Sequence, residues 1–277
     1  MAAFFSERGI TIGTKGARKL LAAFSASRLV VLQSGKALPP KFFKILSDYF
    51  GSGIYLHECG ETEEGGAVRS NAARAFQDAA SRRHVVHVAA YSGAVGQIAS
   101  VVAPFQFYIE NPARAAKSAV GLIHSSNVWF VFALCGERGA DIPDNACVVN
   151  LDWEECTETE AEVPAGALNY YQFAALSKAG RNDFCLDEDK GWKKIDQLEK
   201  FVGAKFDNKT WMRLEKFSSA CLACGSGEEE ALDCAAAAVL MTSLKSRAPE
   251  DFVRGLEHIF GAEDVSECKK TLENLQV

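Results

Sequence analysis

This 277-residue sequence predicts an α/β fold with a mostly parallel sheet, followed by an all-helical part. Up to residue 152, short apolar segments alternate with segments of helical period. Near-continuous apolar strands that alternate with helices are typical of a parallel sheet covered on both faces. From residue 154 the composition becomes acidic, and every periodic segment beyond it repeats its apolar residues at helical spacing.

Each element of the first part is predicted from its local pattern. The β-branched run at Val30 and Val31 indicates a strand, and the aromatic residues between 42 and 50 repeat at helical period until Gly51 ends the helix. Segment 91–112 has no readable period. The predicted strands are 28–33, 54–57, 84–90, 127–134 and 146–152, and the predicted helices are 18–24, 41–50, 67–82 and 113–124.

The second part is predicted to be helical throughout, with no strand after Asp152. Helix starts are indicated by Asp187, Asn208 and Pro249, and helix ends by glycines. The ending glycines are Gly180, Gly203, Gly225 and Gly261. The predicted helices are 169–178, 188–202, 209–224, 228–247, 250–260 and 265–275.

Composition limits the class of protein. Hydrophobic residues make up 48% and charged residues 24%, which is typical of a globular protein. The net charge of -6 disfavours nucleic-acid binding, which needs basic surface. No apolar run approaches the roughly 20 residues of a membrane span, and no leader peptide is recognisable. The nine cysteines lie mostly in apolar segments, so we expect reduced thiols and a cytoplasmic protein that binds no membrane.

Several segments, taken in order, resemble the AAA+ ATPases, and in particular the bacterial restriction-type, dynein-related branch. Segment 17–33 is similar to the helix and first strand before the phosphate loop of that family, and 127–132 is similar to its sensor-1 strand. The other similar segments are 38–51, 142–152, 192–199, 208–216 and 230–233. The resemblance implies a three-layer αβα core at 1–153, an acidic linker at 154–165 and a helical lid domain at 166–277.

A working AAA+ core needs a phosphate loop of the form G-x-x-x-x-G-K-[ST]. Its backbone N–H groups surround the phosphates, its lysine reaches them and its hydroxyl binds Mg²⁺. Here the strand runs directly into Ser34, Gly35 and Lys36, and Ala37 replaces the hydroxyl. The loop is about four residues too short for the motif. Ser34, Gly35 and Lys36 are the candidate residual nucleotide-binding residues, and a plain connection with a solvated lysine is the alternative.

Three further parts of the mechanism that the resemblance implies are missing. The strand that should end in Mg²⁺-binding carboxylates ends instead in 91–93, Tyr-Ser-Gly. Residues 133–136 lack the polar side chain of sensor 1, and no arginine directly precedes the last strand, the nearest being Arg138. We therefore expect no catalytic residues.

Other residues with possible chemistry favour simpler interpretations. Cys221 and Cys224 have the spacing of half a zinc site but no second pair, so we expect core cysteines and no metal. His84 and His87 fall on opposite faces of a strand. Trp192 and Trp211, among basic residues of the lid, are predicted to be buried, the alternative being a partner-facing or nucleic-acid-facing surface.

The sequence therefore predicts a catalytically degenerate, pseudo-ATPase protein that acts through protein–protein interaction and needs no cofactor. Its expected partners are protein subunits, either further copies of itself or a related AAA+ protein, met partly through the acidic segments 58–64 and 154–162. The alternative is a divergent AAA+ NTPase with residual nucleotide binding near Lys36. An acidic pair close to Lys36 in space would favour that alternative. A nucleic-acid-binding module is disfavoured because no basic patch is evident.

Overall fold

The computed structural model describes residues 1–51, 54–59, 66–82, 85–93, 98–111, 127–135, 142–159, 164–179, 196–197, 199–200, 205–240, 249–261 and 265–276. The strands are β1 (Ile10–Thr11), β2 (Leu29–Ser34), β3 (Ile54–Cys59), β4 (His87–Gly93), β5 (Val128–Cys135), β6 (Cys147–Asn150) and β7 (Glu154–Glu155). The earlier helices are α1 (Ala2–Glu7), α2 (Gly13–Ala26), α3 (Pro40–Phe50), α4 (Gly66–Ser81), α5 (Ile98–Val102) and α6 (Gln106–Glu110), with a 3-10 turn at Ala103–Phe105. The later helices are α7 (Tyr170–Ala179), α8 (Asn208–Ala223), α9 (Glu228–Ala235), α10 (Pro249–Phe260) and α11 (Ser266–Gln276), with a π-helical turn at Ala236–Leu240.

Five of these strands form a parallel sheet flanked by helices, so the predicted α/β class is confirmed. The strand order is β3-β4-β5-β2-β6. In the pairing of β2 with β5, Val31 lies opposite Phe132 and Ser34 lies opposite Cys135. In the pairing of β4 with β5, Ser92 lies opposite Ala133. The carboxyl ends of these three strands therefore meet at one edge of the sheet.

The central strands are buried along their length, which explains their continuous apolar sequence. Leu29, Val30, Val31 and Leu32 are all fully buried, and β5 is buried up to its last residue. A strand covered on both faces has no solvent-facing side and therefore shows no polar alternation. Helix α3 buries its aromatic residues and ends at Gly51 in the left-handed conformation, with φ 63°, as its sequence predicts.

The prediction of no strand after Asp152 is wrong. Strand β7 lies in the segment predicted to be a linker and pairs antiparallel with β1, with Ile10 opposite Glu155 and Thr11 opposite Glu154. Helix α1 holds β1 in place by burying Phe4 and Phe5 completely. A two-residue strand is too short to show a period, and its partner lies near the other end of the first part, so local pattern could not reveal the pair.

The chain forms two compact units. The first comprises Met1–Ala17, Arg28–Pro143 and Leu151–Phe173, and the second comprises Arg18–Ser27, Asp144–Asn150 and Ala174–Val277. Strands β2 to β5 belong to the first unit, whereas β6 and helices α8 to α11 belong to the second. The AAA+-like core and lid boundaries that the resemblance implies stay predictions.

A buried polar network holds the second unit together. The Lys19 Nζ atom donates to the Asn150 carbonyl at 2.6 Å and to Glu267 Oε2 at 2.9 Å. The Asn150 side chain donates in turn to Thr271 Oγ1 at 2.7 Å. The Asp233 carboxylate caps the start of α11 by accepting from the Glu267 N–H at 2.8 Å, and burial raises the pKa of Asp233. These hydrogen bonds offset the free-energy cost of removing the charges of Lys19, Glu267 and Asp233 from water.

One detail of the helical part differs from the sequence predictions. Asp207, rather than Asn208, caps helix α8, because its carboxylate accepts from the Thr210 N–H at 2.7 Å. Most of the Trp211 surface is buried, as predicted, and Leu214 and Phe217 of the same helix are buried completely or almost completely. Trp192 and the predicted helix 113–124 lie outside the described residues.

Candidate functional site

The predicted residual nucleotide site lies at the carboxyl edge of the sheet. Ser34 is the last residue of β2, and Gly35 and Lys36 follow it on the surface. Ligands of open α/β folds usually bind outside this edge. Residues 35–39 complete the connection, and α3 begins at Pro40. This connection occupies the place of a phosphate loop, and its donors decide whether it can bind an anion.

The start of α3 is short of backbone donors. A helix offers an anion its first N–H groups, which have no partner within the helix. In α3 the cap is Pro39 and the first helical residue is Pro40, and neither has an N–H group. The Phe42 N–H already donates to the Pro39 carbonyl at 2.9 Å. At most the Lys41 N–H remains, so the start of α3 offers a ligand one backbone donor at most.

The Lys36 side chain lies against the protein. Its Nζ atom stands 4.4 Å from the centroid of the Trp153 ring, in the geometry of a cation–π contact. Trp153 is buried, and its Nε1 atom donates to the Lys36 carbonyl at 3.3 Å. The Ser34 hydroxyl donates to the same carbonyl at 2.7 Å. These contacts close the turn 34–36 onto Trp153.

An open cavity of about 590 Å³ adjoins this turn. Its lining residues are Thr11, Ile12, Gly13, Gly35, Lys36, Leu151, Asp152, Trp153 and Glu154. The volume is within the range of small-molecule sites. Helix α2 begins at this cavity with Gly13 in the left-handed conformation, φ 63°, and a Cβ atom at Gly13 or Gly35 would meet no atom within 4 Å. Lys36 thus shares a cavity with two carboxylates, Asp152 and Glu154.

As far as the structure describes them, the ends of β4 and β5 lack the groups that hydrolysis requires. Strand β4 ends with Tyr91, which is fully buried, followed by Ser92 and Gly93. Strand β5 ends with Leu134 and an exposed Cys135. Among the described residues, neither strand end therefore presents a carboxylate or an amide beside Ser34. Arg138, the nearest arginine to the last strand, lies outside the described residues.

The cysteine and histidine candidates form no metal site in the part of the chain that the structure describes. The seven cysteines with described side chains are free thiols. Burial raises the pKa of Cys221 and of Cys224, so both thiols stay protonated. His87 is fully buried, and its Nε2 atom lies 3.2 Å from the Arg82 carbonyl. His84 is not among the described residues.

Two features of the site were missed in the sequence. The consecutive prolines Pro39 and Pro40 are a readable signal, because proline at the start of a helix removes the donors that an anion needs. Trp153 carries no such signal. Its contact with Lys36 joins residues 117 positions apart, and only the tertiary fold brings them together.

No protein-family model, curated protein or solved structure matches this chain. The resemblance to the AAA+ ATPases therefore stays a prediction that rests on the quoted segments. Within the described ranges, no helix is both long enough and apolar enough to cross a membrane.

Proposed function

We propose that this chain is a catalytically degenerate AAA+-like protein that acts through contacts with other protein subunits. The connection 35–39 between β2 and α3 carries the proposal. It is short, it leads into two prolines without N–H groups, and its lysine lies on Trp153. A helix that starts in this way lacks most of the N–H donors that the helix of a phosphate loop directs at a triphosphate.

The missing groups act on the same step, so their losses reinforce one another. Removing a single donor that stabilises developing charge typically lowers a rate by about 10²–10³-fold. Here the Mg²⁺ hydroxyl is replaced by Ala37, the leading N–H groups are replaced by Pro39 and Pro40, and no carboxylate follows β4. A core with these losses retains its fold but does not hydrolyse nucleotide.

Both units expose apolar side chains that could contact another protein. Three large apolar side chains are more than half exposed, namely Phe107, Tyr171 and Met212. Exposed aromatic residues of this kind are enriched among the residues that dominate binding between proteins. The resemblance implies that the core of one subunit meets the helical part of the next. The partner is then a further copy of this chain or a related AAA+ protein.

Mg²⁺-dependent phosphate release from ATP and GTP tests the loss of chemistry. We expect the wild-type protein and Lys36→Ala to give the same background signal. A steady rate that disappears in Lys36→Ala would contradict the proposal. Cys135 supplies a second readout, because it is exposed and lies opposite Ser34 at the site. We expect its alkylation rate to be unchanged by ATP, whereas a nucleotide bound at 34–36 would slow it.

Sedimentation velocity over a range of protein concentration and ionic strength tests the contact. We expect concentration-dependent association that weakens as salt screens charges over about 8–10 Å. A protein that remains monomeric at high concentration and low salt would exclude self-association. A capture experiment from the native host that recovers no specific subunit would then count against the proposal as a whole.

The second candidate function is a divergent NTPase with residual nucleotide binding near Lys36. The presence of Asp152 and Glu154 in the same cavity as Lys36 favours it, because a carboxylate pair is what Mg²⁺-nucleotide needs. Calorimetric titration with Mg²⁺-ADP tests this candidate. Binding by the wild-type protein that is lost in both Lys36→Ala and Asp152→Asn supports it. Heat signals that are equal in all three proteins exclude it.

A further inference from the structure

At the amino end of β2, the opposite end from Lys36, lies a cation that has no anionic partner among the described residues. Arg28 directly precedes β2, and its Cζ atom stands 3.7 Å from the centroid of the Trp129 ring. Trp129 is fully buried, whereas Arg28 as a residue is only partly buried. The guanidinium therefore lies with one face on a buried aromatic ring.

The polar contacts of this guanidinium are incomplete. The Arg28 Nε atom is buried and has no hydrogen-bond partner in the part of the chain that the structure describes. No carboxylate of the described residues lies within ion-pair distance of it. Burial lowers the pKa of Arg28 to about 10, with an opposing effect of Tyr170, so the group stays charged near neutral pH. A desolvated charge of this kind is unfavourable until an anion joins it.

Aromatic rings extend from Arg28 to the surface. The Tyr170 ring lies 6.2 Å from that of Trp129, and the Tyr171 ring lies 5.6 Å from that of Tyr170. Tyr171 is 63% exposed. Arginine and tyrosine are the residues most enriched at the centres of protein interfaces, where a cation and its aromatic neighbours are covered together. We name Arg28, Trp129, Tyr170 and Tyr171 the arginine patch.

Negative charge that could pair with Arg28 lies near the other end of β2, the carboxyl end. Glu154 and Glu155 form β7 and are exposed, and neither has an ion-pair partner among the described residues. The segment that leads to them starts at the carboxyl end of β2, where the Leu151 N–H donates to the Gln33 carbonyl at 2.8 Å. Glu158, by contrast, is already paired with Lys41. We name Glu154 and Glu155 the acidic strand.

A strand of this length separates the arginine patch from the acidic strand by roughly 20 Å, since each residue advances about 3.3 Å. The two features therefore cannot pair within one molecule. They meet when a second copy stacks in the strand direction, with its carboxyl edge facing the amino edge of the first. Such a head-to-tail contact is heterologous, so it closes a ring or extends a filament.

We infer that the arginine patch is a docking site for the acidic strand of a second copy of this chain, with the Arg28 guanidinium donating to a carboxylate of Glu154 or Glu155. The contact neutralises the guanidinium charge and covers Tyr171. This inference rests on the proposed function and names the surface through which the subunits meet.

Sedimentation velocity with paired charge reversals tests the inference. We expect Arg28→Glu to weaken self-association about tenfold or more, as expected when one member of a desolvated charge pair is removed. The double variant Glu154→Lys with Glu155→Lys should weaken it similarly, and combining all three changes should restore it. The matched control is Arg254→Glu, at an exposed arginine paired with Asp251. It should leave association unchanged.

Failure of this inference can be distinguished from failure of the proposed function. Self-association that survives all the reversals overturns the arginine patch as a docking site and leaves a contact function intact. A wild-type protein that is strictly monomeric at low salt overturns the inference as well, and phosphate release sensitive to Lys36→Ala would in addition overturn the proposed function. Circular dichroism reports whether Arg28→Glu folds. If it does not, the acidic-strand variant decides alone, because its residues are exposed.

Discussion

Strand β2 has a cation on an indole ring at each end, but the two cations differ in their access to water. At the carboxyl end, Lys36 is exposed and its ammonium lies 4.4 Å from the Trp153 ring centroid. At the amino end, the Arg28 Cζ atom lies 3.7 Å from the Trp129 ring centroid, and the buried Nε atom has no hydrogen bond to any described residue. The same type of contact therefore occurs in a solvated and in a desolvated setting.

The difference in hydration indicates what each cation–π contact contributes. An exposed ammonium keeps its hydration, so the contact with Trp153 is worth only about 0.5–1 kcal/mol and serves to close a turn. A guanidinium that has lost water at one nitrogen has given up hydration that the ring does not fully replace. The carboxyl end is thus satisfied as it stands, whereas the amino end is incomplete until an acidic group reaches it.

The largest effect on stability is expected from removing the ring beneath Arg28. Trp129→Ala deletes a fully buried side chain that packs edge-on against Phe173, at a ring-centroid distance of 5.5 Å. Such truncations lower the free energy of unfolding by about 3–5 kcal/mol. Urea denaturation measures this change. Tyr171→Ala, in the same patch but exposed, is the control and should change stability by no more than about 0.5 kcal/mol. Equal losses in the two variants would contradict the assignment of Trp129 to the core.

A smaller effect on stability is expected at Arg28, where the same substitution should weaken self-association. Arg28→Met keeps the volume of the side chain and removes the desolvated charge. Removing an unsatisfied polar group offsets the lost cation–π contact, so the free energy of unfolding should stay within about 1 kcal/mol of wild type or rise. Self-association should nevertheless weaken. A loss of stability well beyond that range would show that the charge supports the fold rather than a partner.

The smallest effect is expected at Lys36. Lys36→Met should lower the free energy of unfolding by about 0.5–1 kcal/mol, the range for a cation–π contact at an exposed site. Trp153→Phe keeps a ring for the ammonium but removes the indole donor to the Lys36 carbonyl, and serves as the matched change. Thermal melts of both variants and of their combination give the coupling between the two residues. A coupling near zero would mean that the turn 34–36 closes without this contact.

Local pattern was sufficient for most elements of the first unit. Continuous apolar runs predicted strands β2 and β5 because both faces of those strands are covered. Gly51 ends α3 as predicted, because only glycine takes the left-handed conformation at little cost. The absence of a phosphate-loop hydroxyl and of strand-end carboxylates is also local, since it depends on single residues such as Ala37.

What the sequence determined by itself is therefore the α/β class, the chain order of the five strands of the parallel sheet and the residues missing from the expected nucleotide site. The tertiary structure alone decided the pairing of β1 with β7, the closure of Lys36 onto Trp153 and the position of Arg28 above Trp129. The physical reason is the range of the interactions. Helical and strand periods repeat over a few residues, whereas desolvation depends on which distant side chains surround a group after folding.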